Sequence, residues 1–460
     1  MRKWWPLAAV CLGTFMFLLD TTVLSVALPG IGAELSAPLS SLQWVANVYT
    51  LVLAVLMLPM GSLTDRFGAR TVYIAGLAVF GAASLGCGLA PNAGVLIAVR
   101  GVQGIGGAAL AVTSFALLGA VYRGPDMGRA MGVFGAVTGL AAAAGPVLGG
   151  VLTQYLGWRA VFFVNLPLVV ATIAVSFRIP AAERRPAPAR VDLPGVVAFA
   201  LCAASLTYAL TLAGEDGRPS LPVIGLLVLA ALALAAFARI ELRASAPLLD
   251  VRLFSRASFS AVMMCVVAST AAFAALVYTS VWLQSGLGLG PVRAGLALLP
   301  LALASFATSL LSGRRLHGRS PRAVLGTGLL LSGIGCALQA GLDAGSSAGS
   351  IAAGLAVAGV GVGLMGPAMG AAVFAALPPE RGGMAAGAMT TFRQLGQTLG
   401  VAVFGVLFQQ GGTASGGLNR VLIAAAGIGL AGAALARVLV PRPVAGEATD
   451  AVSRDLTGSR

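Results

Sequence analysis

The sequence predicts an all-α polytopic membrane protein of fourteen spans: two six-helix halves plus an inserted pair of helices. Three observations carry that prediction. Of the 460 residues 58% are hydrophobic and 10% charged, with a mean hydropathy of +0.94; soluble chains carry about 25% charged residues. The charges fall in short clusters between uniformly apolar runs about 20 residues long, the length a helix needs to cross a bilayer. Barrel strands would be about ten residues long with alternating polarity. Finally, the polar stretch from Gly61 to Arg70 is echoed by the stretch from Gly313 to Arg322, an offset of 252 that also carries the first span onto the ninth.

Taken in order, hydropathy places the first six spans near 6–28, 43–63, 72–91, 95–121, 130–154 and 160–179. The basic start at Arg2 and Lys3 resembles a signal peptide. The run behind it is too long, contains Asp20 and lacks a small-residue cleavage site, so it reads as a retained first span. A proline- and arginine-rich connector, Pro180 to Arg190, precedes spans near 193–213 and 220–238. A second polar connector with Arg239, Glu241, Arg243, Asp250, Arg252 and Arg256 follows them. The last six spans lie near 257–285, 293–313, 322–342, 349–377, 384–411 and 420–439. The domains expected are therefore 1–179, an N-terminal half; 180–256, connectors and hairpin; 257–440, a C-terminal half; and 441–460, a polar, disordered cytoplasmic tail. Paired repeats of this kind build alternating-access transporters, with a substrate site between the halves near the midplane.

An even number of spans puts both termini on one side. With the N-terminus in the cytoplasm, 23 of the 29 Lys and Arg fall in cytoplasmic segments and 4 in outer loops, while Arg100 and Arg393 lie within spans. This bias sets the orientation, with both termini cytoplasmic. It also accounts for the net charge of +14 without nucleic acid as a partner. Cys11, Cys87, Cys202, Cys265 and Cys336 all sit in apolar runs without metal-like spacing and read as packing residues, so no metal site is expected. An enzyme lacks parts here. The only histidine, His317, is in a loop, and no phosphate-cradling loop precedes a Lys-Ser/Thr pair, which also argues against ATP-driven pumping.

Asp20 lies about fourteen residues, roughly 21 Å, into the first span. A carboxylate at that depth costs a few kcal/mol (about 2.5 or more) unless it is paired, protonated or in a wet cavity. It is either a packing group bonded to a neighbouring helix or a proton- or cation-handling group. Arg100 enters the membrane from the outer side, roughly 8 Å deep. It either snorkels to the outer headgroups or shares a polar cavity with Asp20, and Gln103 continues on the next turn.

Several stretches resemble the major facilitator superfamily, specifically its fourteen-span drug:proton antiporters of multidrug efflux type. Gly61-Ser62-Leu63-Thr64-Asp65-Arg66-Phe67-Gly68-Ala69-Arg70 is similar to the superfamily's loop signature, with Ala69 where a basic residue is usual. There Gly61 and Gly68 permit close approach and a tight turn, and Asp65, near a helix N-terminus and paired with an arginine, would latch the halves as a gate with Arg66 and Arg70. Arg100-Gly101-Val102-Gln103-Gly104 resembles the span-4 segment. Gly145-Pro146-Val147-Leu148-Gly149-Gly150 resembles the span-5 antiporter signature, in which Pro146 would kink the helix and the glycines would allow close packing. The fourteen-span subfamily is echoed by Leu19 to Pro29 (with Ser25 for the usual asparagine), by Gln43 to Tyr49, and by Gly157-Trp158-Arg159 with Phe162, Asn165 and Pro167.

The resemblance implies a major facilitator fold, a monomer in the bacterial cytoplasmic membrane, and the proton gradient as energy source with no cofactor. Asp20 and Arg100 would couple protons. Gln103, Trp44, Asn47, Tyr49, Phe115 and Arg393 would contribute to a cavity for lipophilic drugs, cationic ones included. Trp44 also suits an interfacial anchor, and Arg393, about nine residues from the cytoplasmic end of span 13, is a cavity charge or a snorkelling one. The rival functions are export of one endogenous metabolite or antibiotic, and proton symport on the same fold. The orientation is directly testable: green fluorescent protein fused after Arg460 should fluoresce, and alkaline phosphatase at the same place should be inactive. The opposite pattern would reverse every assignment of inner and outer loops.

Overall fold

The computed structural model describes residues 2–179, 192–216, 220–244, 247–315, 320–343, 345–375 and 382–439. The connector 180–190, the tail 441–460, and the turn holding His317 in the echo of Gly61–Arg70 lie outside the described residues.

Every long element is a helix: α1 (Trp5–Leu35), α2 (Leu39–Phe67), α3 (Ala69–Gly88), α4 (Ala93–Val121), α5 (Gly124–Leu156), α6 (Ala160–Phe163) and α7 (Asn165–Ser176). The inserted pair is α8 (Leu193–Asp216) and α9 (Leu221–Glu241). Then come α10 (Ala257–Phe273), α11 (Ala275–Val281), α12 (Pro291–Ala297), α13 (Leu299–Arg315), α14 (Pro321–Gln339), α15 (Ala352–Ala375), α16 (Gly382–Gln409) and α17 (Ala414–Leu439). Single-residue breaks at Val164, Ala274 and Leu298 divide three of the spans. A π turn at Trp282–Gly286 prolongs α11. Joined across those breaks, the helices make the fourteen spans, and nine stretches are long and apolar enough to cross a membrane on their own among the described residues. The 252-residue offset persists throughout: it carries α1 onto 257–287, α2 onto α12–α13, α3 onto α14, and α5 close to α16.

The ends of the elements follow local chemistry. The first helix runs beyond its apolar stretch to Leu35 and stops at Ser36, whose φ of 49° is left-handed. The turn between α2 and α3 is a single residue, Gly68, at φ 85°, where a side chain would be strained. Asn92 caps α4 by accepting from the Val95 N–H at 2.9 Å. Beyond the membrane, the Glu34 carboxylate at the end of α1 accepts from Trp158 Nε1 at 2.8 Å and pairs with Arg159, contacts that lower its pKa. At the other end of the bundle Lys3 pairs with Asp126, and Trp4 stacks on Tyr122 with ring centroids 5.4 Å apart.

Small residues let the helices approach. A Cβ on Gly106 of α4 would stand 2.7 Å from the Phe80 backbone nitrogen and 2.8 Å from the Gly76 carbonyl oxygen of α3. The repeat-related pair α14 and α15 does the same, where a Cβ on Gly361 would stand 2.5 Å from the Gly328 carbonyl oxygen. Large apolar side chains such as Leu221, Leu232, Val228 and Ile423 point outward, as helices in lipid require. The inserted α8 packs on both α2 and α16, and Phe199 and Phe237 join it to α9 with centroids 5.4 Å apart.

Gly106→Leu should therefore force α3 and α4 apart. Overpacking of this kind costs about 1–3 kcal/mol. The detergent-solubilised variant should melt below the wild type, whereas Gly427→Leu, where a Cβ would meet nothing within 4 Å, should not.

Candidate functional site

Asp20 is the sixteenth residue of α1, and its carboxylate faces inward among α2, α3, α4 and α7. Arg100 Nη1 of α4 donates to Asp20 Oδ2 at 2.6 Å, with side-chain exposures of 1% for Arg100 and 0% for Asp20. The same nitrogen donates to Gln103 Oε1 at 2.7 Å, and Arg100 Nε donates to the Val45 carbonyl at 3.2 Å. The other carboxylate oxygen, Oδ1, accepts from Gln103 Nε2 at 3.0 Å and from Asn165 Nδ2 at 3.1 Å. Ser84 of α3 closes the network, its Oγ accepting from Gln103 at 2.9 Å and from Asn165 at 3.4 Å.

This arrangement meets the condition for a charge inside a membrane: a partner of opposite sign in close contact, with further hydrogen bonds satisfying both groups. The Arg100 guanidinium also lies over the Tyr49 ring, 4.2 Å from its centroid, and 5.9 Å from that of Phe162. Among the described residues, the Tyr49 hydroxyl and Asn165 Oδ1 at the edge of the cluster are buried without a hydrogen-bond partner. Buried polar groups are rarely left so.

The glycines of α5 bring a second element against the same part of α1. A Cβ on Gly145 would stand 1.8 Å from Thr22 Oγ1, and one on Gly149 would stand 3.0 Å from Val23 Cγ1. The close face of α5 therefore lies two and three residues beyond Asp20. Gly150 turns the other way, toward Val292 of α12, and the side chain of Pro146 lies outside the described residues.

At the end of the bundle that carries the arginine-rich connections, the two halves meet. The Asp65 carboxylate accepts from the backbone N–H groups of Gly383, at 2.6 Å, and Met384, at 2.9 Å, in the first turn of α16. A carboxylate there satisfies two otherwise unpaired donors and complements the helix dipole. A Cβ on Gly61 would stand 2.6 Å from the Gly383 carbonyl oxygen, so α2 and α16 touch backbone to backbone. Arg66 lies over the Phe67 ring at 5.3 Å, and Arg70 donates to the Phe177 carbonyl at 3.0 Å. The repeat-related contact of α5 with α13 joins the halves a second time, where Ser309 Oγ donates to the Gly132 carbonyl at 3.1 Å.

The family model described as Major Facilitator Superfamily matches residues 10–321 and 303–458. The chain belongs to the major facilitator superfamily. It is a multi-pass membrane transporter and not an enzyme. Among its curated relatives are multidrug resistance protein Stp of Mycobacterium tuberculosis, 34% identical over 87% of this chain and 74% of the relative, and the puromycin resistance protein pur8 of Streptomyces alboniger, 34% identical over 87% and 81%. The tetracenomycin C resistance and export protein of Streptomyces glaucescens is 32% identical over 88% and 76%. Similar solved structures include the human organic anion transporter MFSD10 (TM-score 0.71, 16% identity, 94% of this chain and 99% of that one) and the proton:xylose symporter XylE (TM-score 0.68, 14% identity, 96% of each). At these identities the structures speak for the fold alone.

Within this superfamily fold the sequence-predicted residues separate into groups. Asp20, Arg100, Gln103 and Tyr49 come together, as a buried cluster inside the first half. Gln103 and Tyr49 are both fully buried and do not line an open cavity. Trp44 turns away from the interior and lies against Tyr208 of the inserted α8, ring centroids 5.6 Å apart. Asn47, on the same helix, is half-buried. Phe115 and Arg393 meet across the two halves, well away from Asp20 in their helices. Ser84 and Asn165 join the cluster beyond the candidate residues that the sequence points to. Asn165 carried a signal, an amide inside an apolar run, whereas Ser84 carried none.

The pair makes an asymmetric prediction. Asp20→Leu leaves a buried guanidinium that cannot lose its charge, at a cost of about 3–5 kcal/mol. Arg100→Met leaves a carboxyl that can take up a proton, and should cost less. The double variant should melt above Asp20→Leu. Melting temperatures of the three solubilised proteins check this order, and equal losses would mean the two charges do not interact.

Proposed function

We propose that this transporter is a proton-coupled antiporter that exports lipophilic drugs across the bacterial cytoplasmic membrane by alternating access. In this reading it works as a monomer with both termini in the cytoplasm. The observation that carries the reading is the buried, multiply bonded Asp20 on α1, held by Arg100 and Gln103 of α4 and by Asn165 of α7. A carboxylate so placed can exchange protons only when the surrounding helices move, which is the coupling that antiport requires. The relatives named for drug resistance and for antibiotic export support the direction and the class of cargo.

Ionised, Asp20 holds Arg100, Gln103 and Asn165 in one network. A proton arriving at its carboxyl removes the charge that orients Arg100 and loosens α4 and α7 from α1. Thr22 and Val23, directly beyond Asp20, seat the α5 glycines, so a shift of α1 reaches the helix that contacts the second half. The conformational gate is the Asp65 contact with α16, with Gly61 allowing the approach and Gly68 the turn. Its release opens the route from the cytoplasm, and its closure, as here, precedes release of drug outside.

Everted vesicles with a preset pH gradient provide the test, using puromycin and a panel of lipophilic dyes as additions. Wild-type vesicles should lose part of the gradient on each effective addition. Asp20→Asn keeps an oxygen that accepts from Arg100, so it should reach the membrane at near-normal levels while losing the response entirely. A full response in that variant would place proton coupling elsewhere, and concentrative uptake by intact cells would overturn antiport.

A further inference from the structure

Three side chains carry charge well inside the spans among the described residues: Asp20, Arg100 and Arg393. The first two neutralise each other at 2.6 Å. Arg393 has no such partner. It is the twelfth residue of α16, about 16 Å along the helix from its start. No ion pair or hydrogen bond engages its side chain among the described residues. Its one ring contact is with Phe115 of α4, in the other half, 5.6 Å from the guanidinium carbon to the ring centroid. Phe115 in turn meets the edge of Phe134 from α5, centroids 4.9 Å apart at 67°. Arg393 is half-buried, while the two phenylalanines are each 6% exposed.

A guanidinium is always charged and presents five donors in a planar fork. The face of one phenyl ring balances only a small part of the cost of holding it in a membrane interior. The donors that remain are matched by a carboxylate or a phenolate, and the Phe115 and Phe134 rings, closed off in this state, would offer a flat aromatic body their faces once the halves part. A cationic drug finds no matching acid, because the one acidic group at this depth is sealed against Arg100 behind the walls of the first half.

We propose that Arg393, with Phe115 and Phe134, forms the recognition site for the cargo, and that the preferred cargo is a planar aromatic acid. This rests on the drug-export reading of the same transporter and replaces its cationic expectation with the opposite charge. The site sits between the halves, where cargo of an alternating-access transporter must bind. It is separate from the Asp20 cluster, so cargo and proton occupy different places and communicate through α4, which supplies Arg100 to one and Phe115 to the other.

The test uses two dyes with one ring system and opposite charge, fluorescein as the anion and rhodamine 6G as the cation. Binding to the purified full-length protein in lipid nanodiscs is read by fluorescence anisotropy, with empty nanodiscs subtracted. Fluorescein should bind the wild type at least tenfold more tightly than rhodamine 6G. Arg393→Gln should weaken fluorescein at least tenfold and leave rhodamine 6G unchanged or tighter. Arg393→Lys should keep the preference for the anion in reduced form, which separates loss of charge from loss of fold. A wild type that prefers rhodamine 6G, or binds neither dye, would overturn the assignment. So would an Arg393→Gln variant that weakens both dyes equally. A failed proton response in vesicles would leave these binding ratios standing, so the two readings fail separately.

Discussion

The ion pair between Asp20 and Arg100 is the constraint around which the first half is assembled. Neither charge could remain in the membrane alone, and satisfying both requires donors and acceptors from five helices. Gln103 of α4 and Asn165 of α7 donate to Asp20 of α1, the Val45 carbonyl of α2 accepts from Arg100, and Ser84 of α3 accepts from both amides. The helices are thereby fixed in rotation as well as in position. Apolar side chains facing lipid provide no such fixing, because a leucine is equally satisfied against lipid or against another leucine. A polar network of this kind determines which face of each helix turns inward.

Close packing by glycine does the complementary work of setting distances. Where Gly145 and Gly149 meet Thr22 and Val23, α5 approaches α1 next to the ion pair. Where Gly61 meets Gly383, α2 approaches α16 next to the Asp65 contact. In both places a charged group and a stripe of small residues occur together, one giving direction and the other proximity. The inserted α8 packs against both α2 and α16, the two helices that carry the Asp65 contact.

Much of the fold was legible in the sequence because a bilayer leaves few choices. Uniform apolar runs of fixed length gave the fourteen spans, and the basic loops gave their expected orientation. The depth of Asp20 and Arg100 could be counted from the span ends, and so could their chance to meet. What could not be read was rotation. Most of these helices are apolar all round, so nothing in the sequence said that Trp44 faces α8, that Tyr49 is sealed beneath Arg100, or that Ser84 points to Gln103. The same difficulty left the choice at Arg393 open, since its position along α16 gave depth but not direction. Contact with Phe115 shows only that the guanidinium lies against the other half.

The strengths of the two contact sets differ in a way that suits their places. The Asp65 contact consists of two charge-assisted hydrogen bonds at a helix N-terminus, each worth about 1.5–3 kcal/mol. Asp65 is half-buried, so water can replace those bonds as the helices part. The Asp20 cluster is sealed, and breaking it without a proton would strand two bare charges in a dry interior. Thermal motion therefore suffices to open the first, whereas the second yields only when its charge is altered. A bundle in which one end is held by replaceable bonds and the middle by an ion pair has its commitment step at the ion pair. In the proposed cycle, alternation between the two faces of the membrane would be governed by the protonation of one carboxyl, with the gate following.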